Sequence, residues 1–134
     1  MQLTLAIVIS LHVLAATFWA GSTFALVRMR GNGSDQLLAP QLGAAVVVIA
    51  SGAYLWLTLH EGSFGNTEQF LIVGALAAIL ALAIQAVVIG GALRERRRSE
   101  AADTKTRSRI ALAQRAAAVL LMAAAVAMAA ARYA

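Results

Sequence analysis

Uncharged runs dominate this chain. Residues 3–27, 41–59 and 69–93 contain no Asp, Glu, Lys or Arg, and residues 110–131 contain a single one, Arg115. A helix needs about 20 mostly apolar residues to cross the hydrocarbon core of a bilayer, and each run meets or nearly meets that length. Backbone groups find no water in hydrocarbon, so only helices and closed barrels span it. Transmembrane strands alternate apolar and polar residues. These runs are apolar on every side, which selects helices. The fold class is therefore all-α: an integral membrane four-helix bundle, one transmembrane domain over 1–134, with helices at about 3–27, 37–60, 69–93 and 107–131. Composition agrees, since 13% of residues are charged against about 25% in a soluble domain.

Local signals set the boundaries. Arg28 and Arg30 close the first helix, and Gly31-Asn32-Gly33-Ser34-Asp35 reads as a turn. Pro40, the only proline, suits the first turn of the second helix, where its missing N–H costs nothing. Glu61 to Glu68 is a polar loop, and 94–109 is a charged loop, helical at its edges. Asp103 or Thr104 is a candidate cap for the fourth helix. The first run lacks a basic n-region and is too long for a signal-peptide core, so it reads as a retained transmembrane helix.

The net charge of +5 belongs to the connections. With the N-terminus outside, the 28–35 and 94–109 segments are cytoplasmic, and with Arg115 they hold ten of the eleven Lys and Arg residues. Only Arg132 stays outside, with Glu61 and Glu68. That asymmetry obeys the positive-inside rule and implies a multi-pass protein of a bacterial inner (cytoplasmic) membrane with both termini outside. The basic run 94–109 has no interleaved aromatic to stack on a base, so the lipid bilayer, not nucleic acid, is the expected partner. A membrane-protein partner or a homo-oligomer is also compatible. The absence of cysteine excludes disulfides, iron–sulfur clusters and thiolate metal sites.

Small residues are frequent: Ala16, Ala20, Gly43, Gly52, Gly74, Ala78 and the alanine runs of the last helix. In lipid, helices associate through close backbone approach, and packing is what these positions imply.

Polar residues away from helix ends carry the functional information in a membrane. They are His12, Gln85, Arg115 and several Ser and Thr. No carboxylate lies within the runs. This argues against acid/base pairs, catalytic triads and proton-coupled transport of the small multidrug type, so enzymatic chemistry is not what the sequence points to. Arg115 can snorkel to the interface, and Gln85 should hydrogen-bond another helix. His12 lies roughly 14 Å deep at 1.5 Å per residue, with Ala15 and Ala16 beside it and Trp19 two turns on. Small neighbours leave room for a planar group, and neutral imidazole ligates haem iron and copper. A hydrogen bond to a neighbouring helix would satisfy the ring equally well, and spacing alone does not choose. Gly52 and Met122 lie near the expected depth, Gly52 to admit a ring and Met122 as a second ligand. His60, at the outer mouth of the second helix, is about 13 Å from His12's level and reads as a solvated residue, with a surface metal site beside Glu61 as the alternative.

The string His12-Val-Leu-Ala-Ala-Thr-Phe-Trp19-Ala-Gly21 resembles the first helix of copper resistance protein D-like (CopD-like) membrane proteins. Ser51-Gly52-Ala53-Tyr54-Leu55 and the ending Met128-Ala-Ala-Ala-Arg132-Tyr133 are similar to parts of that family too. The layout also resembles HemJ-type protoporphyrinogen oxidases, small four-helix proteins with a first-helix histidine. The HemJ-type resemblance implies a haem b held by His12, and the CopD-like one implies copper handling; residue depth would put such a group between the first, second and fourth helices, with Trp19, Gly52 and Met122 around it. Three readings follow: a haem- or copper-binding protein for electron transfer or metal handling, an accessory subunit of a larger membrane complex, and an oxidase of protoporphyrinogen type.

The charge asymmetry makes a direct prediction. A reporter active only in the cytoplasm, fused after Ala134, should be silent, and the same reporter placed within 99–103 should be active. A strong signal from the C-terminal fusion would reverse the orientation.

Overall fold

A computed structural model describes residues 2–60, 62, 64–98 and 104–133. The chain forms α1 (Gln2–Arg28), α2 (Ser34–Leu59), α3 (Asn66–Ala83), a π-helical segment (Ile84–Ile89), α4 (Gly90–Arg98) and α5 (Thr104–Ala131). The segment from α3 through α4 is one continuous rod, so the bundle has four rods, each long and apolar enough to cross a membrane. An even number of crossings returns both termini to one side. We call the opposite side, which carries the α1–α2 turn, the turn end.

The helices run past the bounds expected from charge alone. α2 begins at Ser34, so Pro40 lies inside it and not in its first turn. The carbonyl that Pro40 leaves without a donor belongs to Gln36, at the exposed end of the helix. α3 begins at Asn66, because the Glu68 carboxylate turns back to accept the Gly65 N–H at 2.7 Å. The charged stretch after residue 93 is largely helical: α4 continues to Arg98 and α5 starts at Thr104. An exposed Arg109–Glu95 ion pair of 3.5 Å joins these two extensions. Asp103, expected as a cap, lies outside the described residues.

The α1–α2 turn is built from its backbone. Gly31 N–H reaches Leu26 O at 2.8 Å and Arg30 N–H reaches Val27 O at 3.1 Å, a Schellman closure with Arg30 in the left-handed position at φ 55°. Gly31 has φ +82°, and a Cβ there would stand 2.9 Å from Ile110 Cγ2. Both facts require glycine, and the second seats the turn on α5.

α5 is the hub. In its most apolar window 44% of residues are buried, against 6% in α1. Its buried positions Ile110, Ala113, Ala117, Leu121 and Ala124 recur at three- and four-residue steps, a coiled-coil-like seam. α5 packs along α3 and also against α1; α1 packs along α2; α2 and α3 barely meet. The core is one large side chain among small ones. Trp19 is 1% exposed and packs in a cluster with Ala45, Val48, Ala78, Ala81, Ala117, Leu121 and Ala124. A second cluster at the turn end holds Ile89, Ala92, Leu93, Ile110 and Ala113.

The expected packing glycines divide. At Gly74 a Cβ would meet Met128 Cγ at 3.1 Å and Ala124 O at 3.2 Å, so α3 and α5 touch backbone to backbone. Gly43 has nothing within 4 Å, and the close approach expected there is not made; it faces outward from α2.

Gly74→Val should therefore destabilise the bundle by about 1–3 kcal/mol through overpacking, while Gly43→Ala, with open space inside α2, should stabilise it by about 0.5–1 kcal/mol. Unfolding in detergent followed by circular dichroism measures both. Equal effects would refute the assignment of the α3–α5 seam.

Candidate functional site

Two polar features lie inside the bundle. The first centres on His12. Its Nδ1 lies 2.9 Å from Ser51 Oγ on α2. The Ser51 hydroxyl is already 2.6 Å from Val47 O, the usual geometry of a helical serine donating to its own backbone. Its single hydrogen is thus in use, so Ser51 accepts and His12 Nδ1 donates. That fixes the tautomer and leaves the lone pair on Nε2. Gly52 lies under the ring: a Cβ there would stand 3.2 Å from His12 Cε1. The glycine does admit a ring, and the ring is the histidine itself. His12 is half-buried.

The other residues expected around His12 go elsewhere. Trp19 Nε1 donates to Gln85 Oε1 of the third rod at 2.6 Å. Met122 is 52% exposed on the outer face of α5, next to Leu121, which packs with Trp19. Ser51, level with His12, precedes His60 by nine residues, about 13 Å along α2, so the two histidines sit at different depths. His60 is not a fully solvated side chain. It stacks on Trp56 with ring centroids 4.7 Å apart, its Nε2 lies 3.8 Å from Glu68 Oε1 and its side chain is 20% exposed. The facing acid is Glu68; Glu61 lies outside the described residues. Among the described residues no group of three or more His, Cys, Asp or Glu gathers to hold a metal ion. Arg115 is exposed, as snorkelling requires.

The second feature is a buried amide and hydroxyl network that joins all four rods. Trp19 N–H can only donate, so it fixes Gln85 Oε1 as acceptor. Gln85 Nε2 then donates to Thr23 Oγ1 at 2.9 Å and to Gln114 Oε1 at 3.3 Å. Gln114 Nε2 donates to Ser34 Oγ at 3.1 Å, and Ser34 donates to Gly31 O in the turn. Gln41 Nε2 donates to Ser22 Oγ and Thr23 Oγ1 at 3.1 and 3.0 Å. Both hydroxyls pass their own hydrogen to Trp19 O. Each amide orientation follows from the one before it, with Trp19 as the origin. Gln41, Gln85 and Gln114 are all fully buried. Gln41 Oε1 alone in this network has no donor.

Gln85 reaches the centre from the π-helical turn. Gly90 N–H bonds back to Gln85 O, five residues earlier, the spacing of a π-turn. The widened turn carries both Gln85 and Ile89 inward. The expected inter-helix hydrogen bond of Gln85 is present. Gln41 and Gln114 were not anticipated. Each sits beside a more conspicuous residue, Pro40 and Arg115, and their spacing was the available signal: Gln114 is four residues after Ile110 and three before Ala117, on the inward seam of α5.

In comparisons with known proteins, no family model, no curated protein and no solved structure matches this chain.

The network makes a graded prediction. Gln85→Met strands the Trp19 N–H and Gln114 Oε1, and should cost about 1–2 kcal/mol. Gln41→Met leaves Ser22 and Thr23 with their bonds to Trp19 O and removes an unpaired carbonyl, so it should cost less than about 0.5 kcal/mol. Unfolding in detergent ranks the two, and the reverse order would refute the amide orientations.

Proposed function

We propose that this small multi-pass membrane protein presents His12 Nε2 as a ligand to haem b, or in second place to copper, for electron transfer or metal handling, in line with its resemblance to CopD-like proteins. The observation that carries the reading is the His12–Ser51 hydrogen bond. Ligating histidines commonly hold their second ring nitrogen in such a bond, which sets tautomer and orientation. His12 would hold the group through Nε2. A haem would supply a one-electron couple; this chain's own part is to hold the imidazole, with Ser51 fixing the proton on Nδ1. His60 is not a partner ligand, being about 13 Å distant along α2. We place the protein in the bacterial inner membrane, turn end inward.

A second reading, an accessory subunit of a larger membrane complex, draws on a different observation. Met122 faces outward and the His12 ring already fills the Gly52 side, so a second ligand or a covering surface would come from another chain. An oxidase of protoporphyrinogen type ranks third.

Purification in mild detergent after expression with ample haem separates these. The wild type should show a Soret band that His12→Ala abolishes and His60→Ala leaves intact. Ser51→Ala should weaken retention about 10–100-fold with helicity unchanged by circular dichroism. A colourless wild type without copper on metal analysis would overturn the ligand reading in favour of the accessory subunit.

A further inference from the structure

The seam that α2 and the third rod leave open is not featureless. At the turn end it forms a groove of about 530 Å³ between the start of α2 and the π segment with α4. Its lining is apolar at Leu38, Leu42 and Val87, has no side chain at Gly91, and includes the exposed Asp35 and Arg94. Ion pairs among the described residues join His60 to Glu68 and Arg109 to Glu95, so Asp35 and Arg94 are not bridged to each other. The groove begins at the helix ends, where headgroups lie, and runs along α2 from residue 35 to 42, about 10 Å toward the hydrocarbon.

We propose that this groove binds one phospholipid whose headgroup carries both a phosphate and a primary ammonium, as phosphatidylethanolamine does. The acyl chain lies along Leu38, Leu42 and Val87 over Gly91; Arg94 donates to the phosphate and Asp35 accepts from the ammonium. Charge complementarity selects this occupant. The turn end carries most of the chain's Lys and Arg and attracts anionic lipid in general, but an anionic headgroup without an ammonium would leave Asp35 opposed to like charge. A headgroup with a quaternary ammonium matches the charge but has no N–H for Asp35.

Gly91 permits a clean test. A Cβ there meets nothing within 4 Å and its φ is not positive, so Gly91→Leu fills the groove without strain and favours the helix. Delipidated protein in detergent is titrated separately with phosphatidylethanolamine, phosphatidylglycerol and phosphatidylcholine, and bound lipid is counted by native mass spectrometry. One phosphatidylethanolamine should bind about tenfold tighter than either of the others. Gly91→Leu should lose it, Asp35→Asn should erase the preference over phosphatidylcholine, and Arg94→Gln should weaken all three lipids. Circular dichroism verifies that each variant is folded. Equal affinity for the three lipids in the wild type, or unchanged binding in folded Gly91→Leu, overturns the proposal. So does a Gly91→Leu variant that changes oligomeric mass instead of lipid count, because the groove would then be an interface with a second copy.

Discussion

The hydrogen bond from Trp19 Nε1 to Gln85 Oε1, 2.6 Å long and fully buried, is the interaction on which the arrangement of the four rods depends. In lipid the apolar faces of helices do not distinguish one rotation from another, because acyl chains are as apolar as leucine. A donor-only indole and an amide that must find it do distinguish them. Once Trp19 sets the direction of Gln85, Thr23 and Gln114 follow, and through Gln114 the start of α2 at Ser34 is tied to α5. The indole also does the steric work, since one large ring fills the space that alanines on α2, α3 and α5 leave open. Packing and polarity thus specify the same rotation of each helix, which is the agreement across levels expected of a sequence with one structure.

The four spans, the helical class and the turn at Gly31 to Gly33 were readable from the sequence because bilayer thickness and the cost of a buried charge act on every residue of a span. The boundaries were less so. Charge does not end a helix here: α4 continues through the charged residues beyond the apolar run, and Glu68 starts α3 early by reaching back to Gly65. A helix ends where its backbone hydrogen bonds end, and that point does not have to coincide with the membrane surface. Gln85 was identified as an inter-helix donor from its isolation in an apolar run. Gln41 and Gln114 are less conspicuous because each adjoins another notable residue, Pro40 and Arg115, whereas Gln85 stands alone in its run. No rule of periodicity announces a π-turn either: the one residue it adds is visible only once the Gly90 to Gln85 bond is seen.

At His12 the sequence poses two alternatives, ligand or hydrogen-bonded side chain, and the structure contains the hydrogen bond, to Ser51. Ser51 takes one nitrogen and leaves the other. The residues around it divide by physical role. Gly52 is there because the imidazole needs its space. Trp19, seven residues along α1, belongs to the core. The spacing of His12 and Trp19 on one side of α1 thus carries two contacts of that helix, a serine contact with α2 and an amide contact with the third rod.

The π segment lies between the interior network and the outer groove. Gln85 and Ile89 turn inward from it, while Val87 is 72% exposed on the groove side. Both faces belong to one hydrogen-bonded helical turn, so a rotation that moved Val87 out of the groove would pull Gln85 away from Trp19. The Trp19 bond holds the segment in register from within. The same bond therefore acts on the shape of a surface that none of the network's side chains touches, together with Leu38 of α2, which packs on the Ile89–Leu93 cluster of the third rod behind the groove.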